Sequence, residues 1–399
     1  MPHQKSSLFK YRLDLSVLTL LFFMWGFVTC LNDILIPHFK AEFNLTYFQA
    51  ALIQFTFFFA YFVIAMPSGI VIDRLGYKKT LILGLVVSAV GALGFIPAAK
   101  LASYPFFLAS LFTLASGITF LQVSANPYVT VIGPEDKASS RLNLTQAFNA
   151  LGTTLAPIFG GILILSTTQG IDAVIFPYFL LAVILLALAV LFIFYHLPAP
   201  SVESSTGKKF KISDVFSYRH TVLGAVAIFV YVGAEVSIGS FLVNYFGTPE
   251  VLSLSHEAAA QYVAMYWGGA MVGRFIGSAI LQKVDTGLLL GIFSLCAAAL
   301  ILLSISTSGS LAMYSVLAVG LFNSIMFPSI FTLGIAKLGK LTSIGSSLLV
   351  MAIVGGAILP LIVGSLADHM SLQKAFIVPV LCYIYLFYYG ISGSKVRLR

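Results

Sequence analysis

Apolar runs of about twenty residues or more, separated by short polar loops, recur twelve times along this chain, and each is long enough to cross the hydrocarbon of a bilayer as a helix. Backbone placed in hydrocarbon must satisfy its own N–H and C=O groups, which restricts a spanning chain to α-helices or closed β-barrels. Here the runs are long and continuous rather than short and alternating, so a barrel is excluded. The spans fall at 14–39, 47–72, 78–99, 104–131, 140–166 and 172–196, then at 220–246, 257–281, 285–307, 310–336, 342–368 and 371–393. Pro67, Pro127, Pro157, Pro328 and Pro360 lie inside them and predict bends. Only 9% of the 399 residues are charged, against about a quarter in a soluble domain. The fold class is therefore an all-α polytopic membrane protein.

Charge sets the orientation. Of 22 lysines and arginines, all but Lys40, Lys100, Lys374 and the intramembrane Arg274 fall in the termini and loops on one side. Positive loops stay inside, so both termini are expected in the cytoplasm. The net charge of +8 reads as topology-setting charge beside anionic lipid headgroups, not as a nucleic-acid surface. The first apolar run lacks a small-residue cleavage site after it and reads as a retained helix. Cys30, Cys296 and Cys382 all sit within apolar spans and form neither a disulfide frame nor a metal-spaced cluster.

The longest polar interruption, Pro198 to Arg219, is rich in Ser and Lys and divides the chain into 1–197, a linker 198–219, and 220–399. The two sides repeat a pattern. Asn126-Pro127 precedes Gly152, Pro157 and Gly161, and Phe327-Pro328 precedes Gly355, Pro360 and Gly364. Gly to Pro is five residues and Pro to Gly four in both, with the paired prolines 30 and 32 residues apart. A duplicated six-helix unit is the plan of transporters that bind substrate at the repeat interface.

Within the first span, Trp25 to Pro37 carries the pair Asn32-Asp33. A carboxylate in hydrocarbon is costly, so Asp33 is expected to face a wet cavity and to handle a coupling cation, either as a proton site or as a Na+ ligand. Glu235 is the second deep acid, with Tyr231 one turn before it. It would bind substrate hydroxyls, take part in coupling, or be held permanently by Arg274. Gln122 and Asn126 are four apart and share one helix face, while Gln146, Asn149 and Thr153 follow an i, i+3, i+7 pattern. Amides offer donors and acceptors without net charge, which suits neutral polyols. Asn323 and Phe327 complete the substrate-binding candidates, with Trp25, Tyr61 and Trp267 as further rings for stacking on a sugar. Enzyme chemistry finds no support: there is no nucleophile elbow, Walker loop or H-E-x-x-H, and the six histidines are scattered.

The loop after the second span reads Gly69-x3-Asp73-Arg74-x-Gly76-x-Lys78-Lys79. This pattern, at this place, resembles the signature of the major facilitator superfamily. There Asp73 would accept from a helix N-terminus of the other half and pair with Arg141, forming a cytoplasmic gate. Leu31 to Pro37, Gln122 to Val129, Arg141 to Asn149, Tyr231 to Val236 and Phe327 to Gly334 further resemble the fucose permease group of that superfamily. Gln122 stands where that group has a glutamate and Glu235 where it has a glutamine, an exchange that resembles the group's glucose/galactose transporter branch. The resemblance implies a twelve-helix fold of two pseudo-twofold-related six-helix halves. It also implies import of a neutral hexose by Na+ or H+ symport, without a cofactor, in a bacterial inner membrane. A monomer in the lipid bilayer with a small sugar as its partner is expected. The alternatives are an exporter of drugs or metabolites, an L-fucose:H+ symporter and a membrane sugar sensor.

Overall fold

The computed structural model describes residues 2–43, 45–165, 171–197 and 212–396, except the side chains of 2–9, 31–42, 47, 48, 50, 51, 157–165, 171, 173, 212, 256 and 257. The linker from 198 to 211 lies outside the described residues. Twelve helical passes follow one another, with no strand among the described residues. They are α1 (Pro2–Glu42), α2 (Tyr47–Leu75), α3 (Tyr77–Lys100), α4 (Tyr104–Val131), α5 (Ala138–Leu165) and α6 (Ile175–Phe194). After the linker come α7 (Arg219–Phe246), α8 (His256–Ile280), α9 (Thr286–Ser306), α10 (Gly309–Ile335), α11 (Gly339–His369) and α12 (Leu372–Gly393). Among the described residues, ten of them are long and apolar enough to cross a membrane by length and composition, all but α5 and α8. The chain is a multi-pass integral membrane protein.

Local chemistry fixes several ends. Thr46 caps α2 in a reciprocal box with Gln49, and Asp285 caps α9 by accepting from the Leu288 amide. Between α2 and α3 the turn is a single residue, Gly76, at φ +81°, a conformation that glycine adopts without steric cost.

Prolines act differently in the two repeats. Helices α2 and α4 run unbroken through Pro67 and Pro127. By contrast α10 is interrupted at Ser324 and Ile325, and α11 at Ala352–Val354, in each case shortly before Pro328 or Pro360. The expected bend at Pro157 falls on a side chain outside the described residues.

Contacts group the chain into two units. One holds 1–135, 148–207 and 342–351; the other holds 136–147, 208–341 and 352–399. The first segment of α11 thus packs with α2 and α4, and the first turns of α5 pack in the unit of α8 and α10.

Glycines permit the closest helix approaches within each unit. A Cβ on Gly152 of α5 would lie 2.2 Å from the Phe23 carbonyl oxygen of α1, and one on Gly355 of α11 would lie 2.0 Å from that of Phe229 on α7. These contacts are repeat-related, because Gly152 and Gly355 hold the same place in the duplicated pattern. Backbone oxygens cannot swing aside, so Gly152→Val and Gly355→Val should each lower the unfolding temperature in detergent by several degrees, a loss of about 1–3 kcal/mol. Gly268→Ala, which meets nothing within 4 Å, should leave it unchanged or slightly raised.

Candidate functional site

In the first unit, α4 presents Gln122 and Asn126 on one buried face. The Gln122 amide nitrogen donates to the Tyr61 hydroxyl of α2 at 2.7 Å, while its buried Oε1 has no hydrogen-bond partner among the described residues. Trp25 is buried nearby in sequence to Asn32 and Asp33 and stacks at a tilt on Phe22, with centroids 4.9 Å apart. Asn32 and Asp33 lie on α1, and their side chains are outside the described residues. Asn149 is half-buried, and its amide nitrogen donates to the Phe22 carbonyl at 2.9 Å, which ties α5 to α1.

The second unit holds a denser polar cluster. Tyr231 Oη lies 2.8 Å from Glu235 Oε1 and 3.0 Å from the Asn323 carbonyl oxygen. The Asn323 side chain is clamped from both ends: its nitrogen donates to Tyr266 Oη at 2.8 Å, and its Oδ1 accepts from Tyr383 Oη at 2.7 Å. Arg274 does not form an ion pair with Glu235 within 4 Å. Its Nε donates to the Ser324 carbonyl at 3.2 Å, and one terminal nitrogen to the Gln146 carbonyl at 3.4 Å. The permanent Glu235–Arg274 clamp weighed above is therefore absent. Phe327 is half-buried beside Phe331, while Trp267 is 42% exposed with its ring edge over Gly239.

One arrangement recurs in both units. Gln122 and Asn323 each stand five residues before a helical proline, Pro127 or Pro328, and each donates to a buried tyrosine one helix away. A proline also leaves bare the carbonyl four residues earlier. That of Val123 accepts from Ser346 Oγ at 2.9 Å, and that of Ser324 accepts from Arg274.

The signature loop is likewise built from contacts inside the first unit. Asp73 accepts from the Ser343 hydroxyl at the start of α11's first segment. A Cβ on Gly69 would lie 2.2 Å from Ser347 Oγ. Lys78 donates to the Ile193 carbonyl at the end of α6 at 3.0 Å, where a cation also meets the negative end of the helix dipole. Arg74 is exposed. In the second unit the repeat-related start of α5 places Ser140 Oγ 2.7 Å from the Ser278 carbonyl, and Asn143 donates to the Arg274 carbonyl at 2.7 Å. Arg141 and Gln146 are buried on the same stretch.

Sequence reasoning missed the tyrosine partners Tyr266 and Tyr383 and the hydroxyls of Ser140, Ser278, Ser343 and Ser346. It also missed Asp14, buried within α1 and accepting from Tyr195 Oη at 2.7 Å. Tyrosine and serine are too common in this chain to single these out; only the spacing of the prolines pointed toward them.

A family model described as Major Facilitator Superfamily matches residues 17–360. The chain belongs to this superfamily. It is 53% identical over 398 residues to a glucose/galactose transporter of Brucella abortus, covering 98% of this chain and 97% of that one. It is 35% identical to the L-fucose-proton symporter of Escherichia coli, covering 96% and 94%. A solved structure of the E. coli transporter FucP in its outward conformation superposes with a TM-score of 0.90 at 34% identity, covering 97% of this chain and 100% of that one. These superfamily relatives are transporters and not enzymes.

The clamp on Asn323 gives a direct test. Tyr266→Phe leaves a buried amide N–H without its acceptor, so stability should fall by about 1–3 kcal/mol, read as a lower unfolding temperature in detergent. Tyr314→Phe, whose ring is 53% exposed, should leave it unchanged.

Proposed function

We propose that the protein is a secondary active transporter that imports a neutral hexose of the glucose or galactose type by cation symport through alternating access. The near full-length likeness to a glucose/galactose transporter carries this reading. Supporting it, the deep polar side chains are mainly amides and tyrosines, which match sugar hydroxyls, whereas a charged substrate would call for more than the single Arg274. The relative named for L-fucose is less similar, at 35%, and the amide at Gln122 favours the hexose branch.

In this proposal Asn32, Gln122, Asn126, Gln146, Asn149, Asn323 and Phe327 contribute to sugar binding, and Asp33 and Glu235 to cation coupling as well. A cation crossing about 100 mV releases about 2.3 kcal/mol, enough for about fifty-fold accumulation of a neutral solute. Gly69, Asp73, Arg74, Gly76, Lys78 and Arg141 belong to the gate at the end that loop charge assigns to the cytoplasm. The contacts of α11 on α2 and α4, and of α5 on α8, must part when that end opens. The two six-helix halves are 1–197 and 220–399, joined by a cytoplasmic linker in the inner membrane of a bacterium.

Counterflow in proteoliposomes tests the substrate class. Internal unlabelled glucose or galactose should draw in labelled hexose; no exchange of any hexose, together with extrusion of apolar cations, would overturn the proposal. Coupling is tested by Asp33→Asn, which should abolish accumulation above the external concentration. Gradient-driven uptake at the parent rate would remove Asp33 from the coupling role.

A further inference from the structure

We infer that Tyr231 relays the protonation state of Glu235 to the break in α10, through one phenolic proton that two acceptors compete for. The inference rests on the coupling role proposed above for Glu235 and assigns Tyr231 as a positioning residue. A phenol has a single O–H to donate and two lone pairs with which to accept. Tyr231 Oη nonetheless has two acceptors in reach, Glu235 Oε1 at 2.8 Å and the Asn323 carbonyl at 3.0 Å. It can serve only one fully at a time.

The charge on Glu235 decides which. An ionised carboxylate is the stronger acceptor, so it accepts the phenolic hydrogen bond and the Asn323 carbonyl loses its donor. When one proton is added to Glu235 Oε1, that oxygen becomes a donor to Tyr231 Oη. The phenolic O–H then turns to the Asn323 carbonyl. One proton has entered, Tyr231 has kept its own, and its hydrogen bond has moved from an acceptor on α7 to one on α10.

Geometry ensures that α10 registers the change. Asn323 ends the first segment of α10, so its carbonyl is among those a helix terminus leaves without a helical partner. Its side chain is fixed by Tyr266 and Tyr383, so the residue cannot drift to compensate. The next carbonyl, Ser324, is held by Arg274. The ionisable groups around Glu235 are Tyr231 on its own helix, Arg274 and Tyr266 on α8, and Tyr383 on α12. From α10 comes Asn323, and from α11 Gly355 and Leu359 are among the residues that meet α7. Glu235 therefore has Tyr231 as its direct donor, with Arg274 acting only through space.

The relay belongs to the second repeat alone. Matching Gly152 on Phe23 with Gly355 on Phe229 aligns Trp25 with Tyr231. An indole N–H donates and cannot accept, so Trp25 has no such exchange to make.

The test uses the full-length protein in proteoliposomes with labelled glucose. Tyr231→Phe should exchange hexose in counterflow within about twofold of the parent, while accumulation under a pH gradient falls about tenfold or more. The pH of half-maximal uptake should move higher by about one unit, because the anion has lost its donor. In Glu235→Gln the pH of half-maximal uptake should shift from that of the parent, leaving only the dependence that Asp33 carries, and adding Tyr231→Phe should cause no further loss of accumulation. Equal loss of exchange and accumulation in Tyr231→Phe with an unchanged pH profile would make Tyr231 purely structural and overturn the relay. A pH profile in Glu235→Gln unchanged from the parent would do the same, and does not require the tyrosine variant to fold. Accumulation by the parent under a sodium gradient alone, insensitive to pH, would overturn the relay and leave hexose transport standing. A parent that exchanges no hexose would overturn both.

Discussion

A carbonyl stripped of its helical partner inside hydrocarbon must find another donor, because the lipid offers none. In this protein Pro127 and Pro328 create two such carbonyls, on Val123 and Ser324, and their replacement donors join separate helices. Ser346 reaches Val123 from α11, and Arg274 reaches Ser324 from α8 while also touching the Gln146 carbonyl of α5. The proline therefore serves less to bend a helix than to expose an acceptor. Each acceptor lies one residue past an amide, Gln122 or Asn323, that is itself steered by a tyrosine. Backbone satisfaction and side-chain orientation are thus solved together at each site.

Duplication kept this frame and changed what hangs on it. With Phe23 and Phe229 aligned by their glycine contacts, Glu235 lies six residues beyond the marker and Asp33 ten. The two deep acids are therefore not equivalent in the repeat. Asp33 lies one turn, about 6 Å, further along its helix, and the partner position of Glu235 in the first repeat is Thr29. The offset fits separate roles for the two acids within the symport proposed above. Within their separate units, Asp73 on Ser343 and Ser278 on Ser140 occupy matching places in the repeat with different chemistry. One is a carboxylate–hydroxyl contact and the other a hydroxyl–carbonyl contact, so only one of the two involves an ionisable group.

Much of the architecture is legible in the sequence. Long apolar runs specify helices because no other backbone is tolerated in lipid, and their limits agree with the helices to within a few residues except at α1, which begins at Pro2. Gly76 was legible as a motif residue, and its positive φ gives the reason. Gln122 and Asn323 could be found as deep amides. Their tyrosine partners could not, because one tyrosine among 18 carries no mark of its role. The interruption of α10 and the continuity of α4 were equally hidden, since each contains a proline at the repeated position. What separates them is tertiary: at the α10 break Tyr231 donates to the Asn323 carbonyl, beyond the donor that each proline-bared carbonyl receives in both repeats.

Uptake of labelled glucose and galactose into proteoliposomes, with pH and sodium gradients imposed one at a time, tests the central claim most directly. Interior hexose rising well above the external concentration under one gradient, and collapsing when that gradient is dissipated, is the predicted result. Equilibration to the external concentration under every gradient would contradict the account.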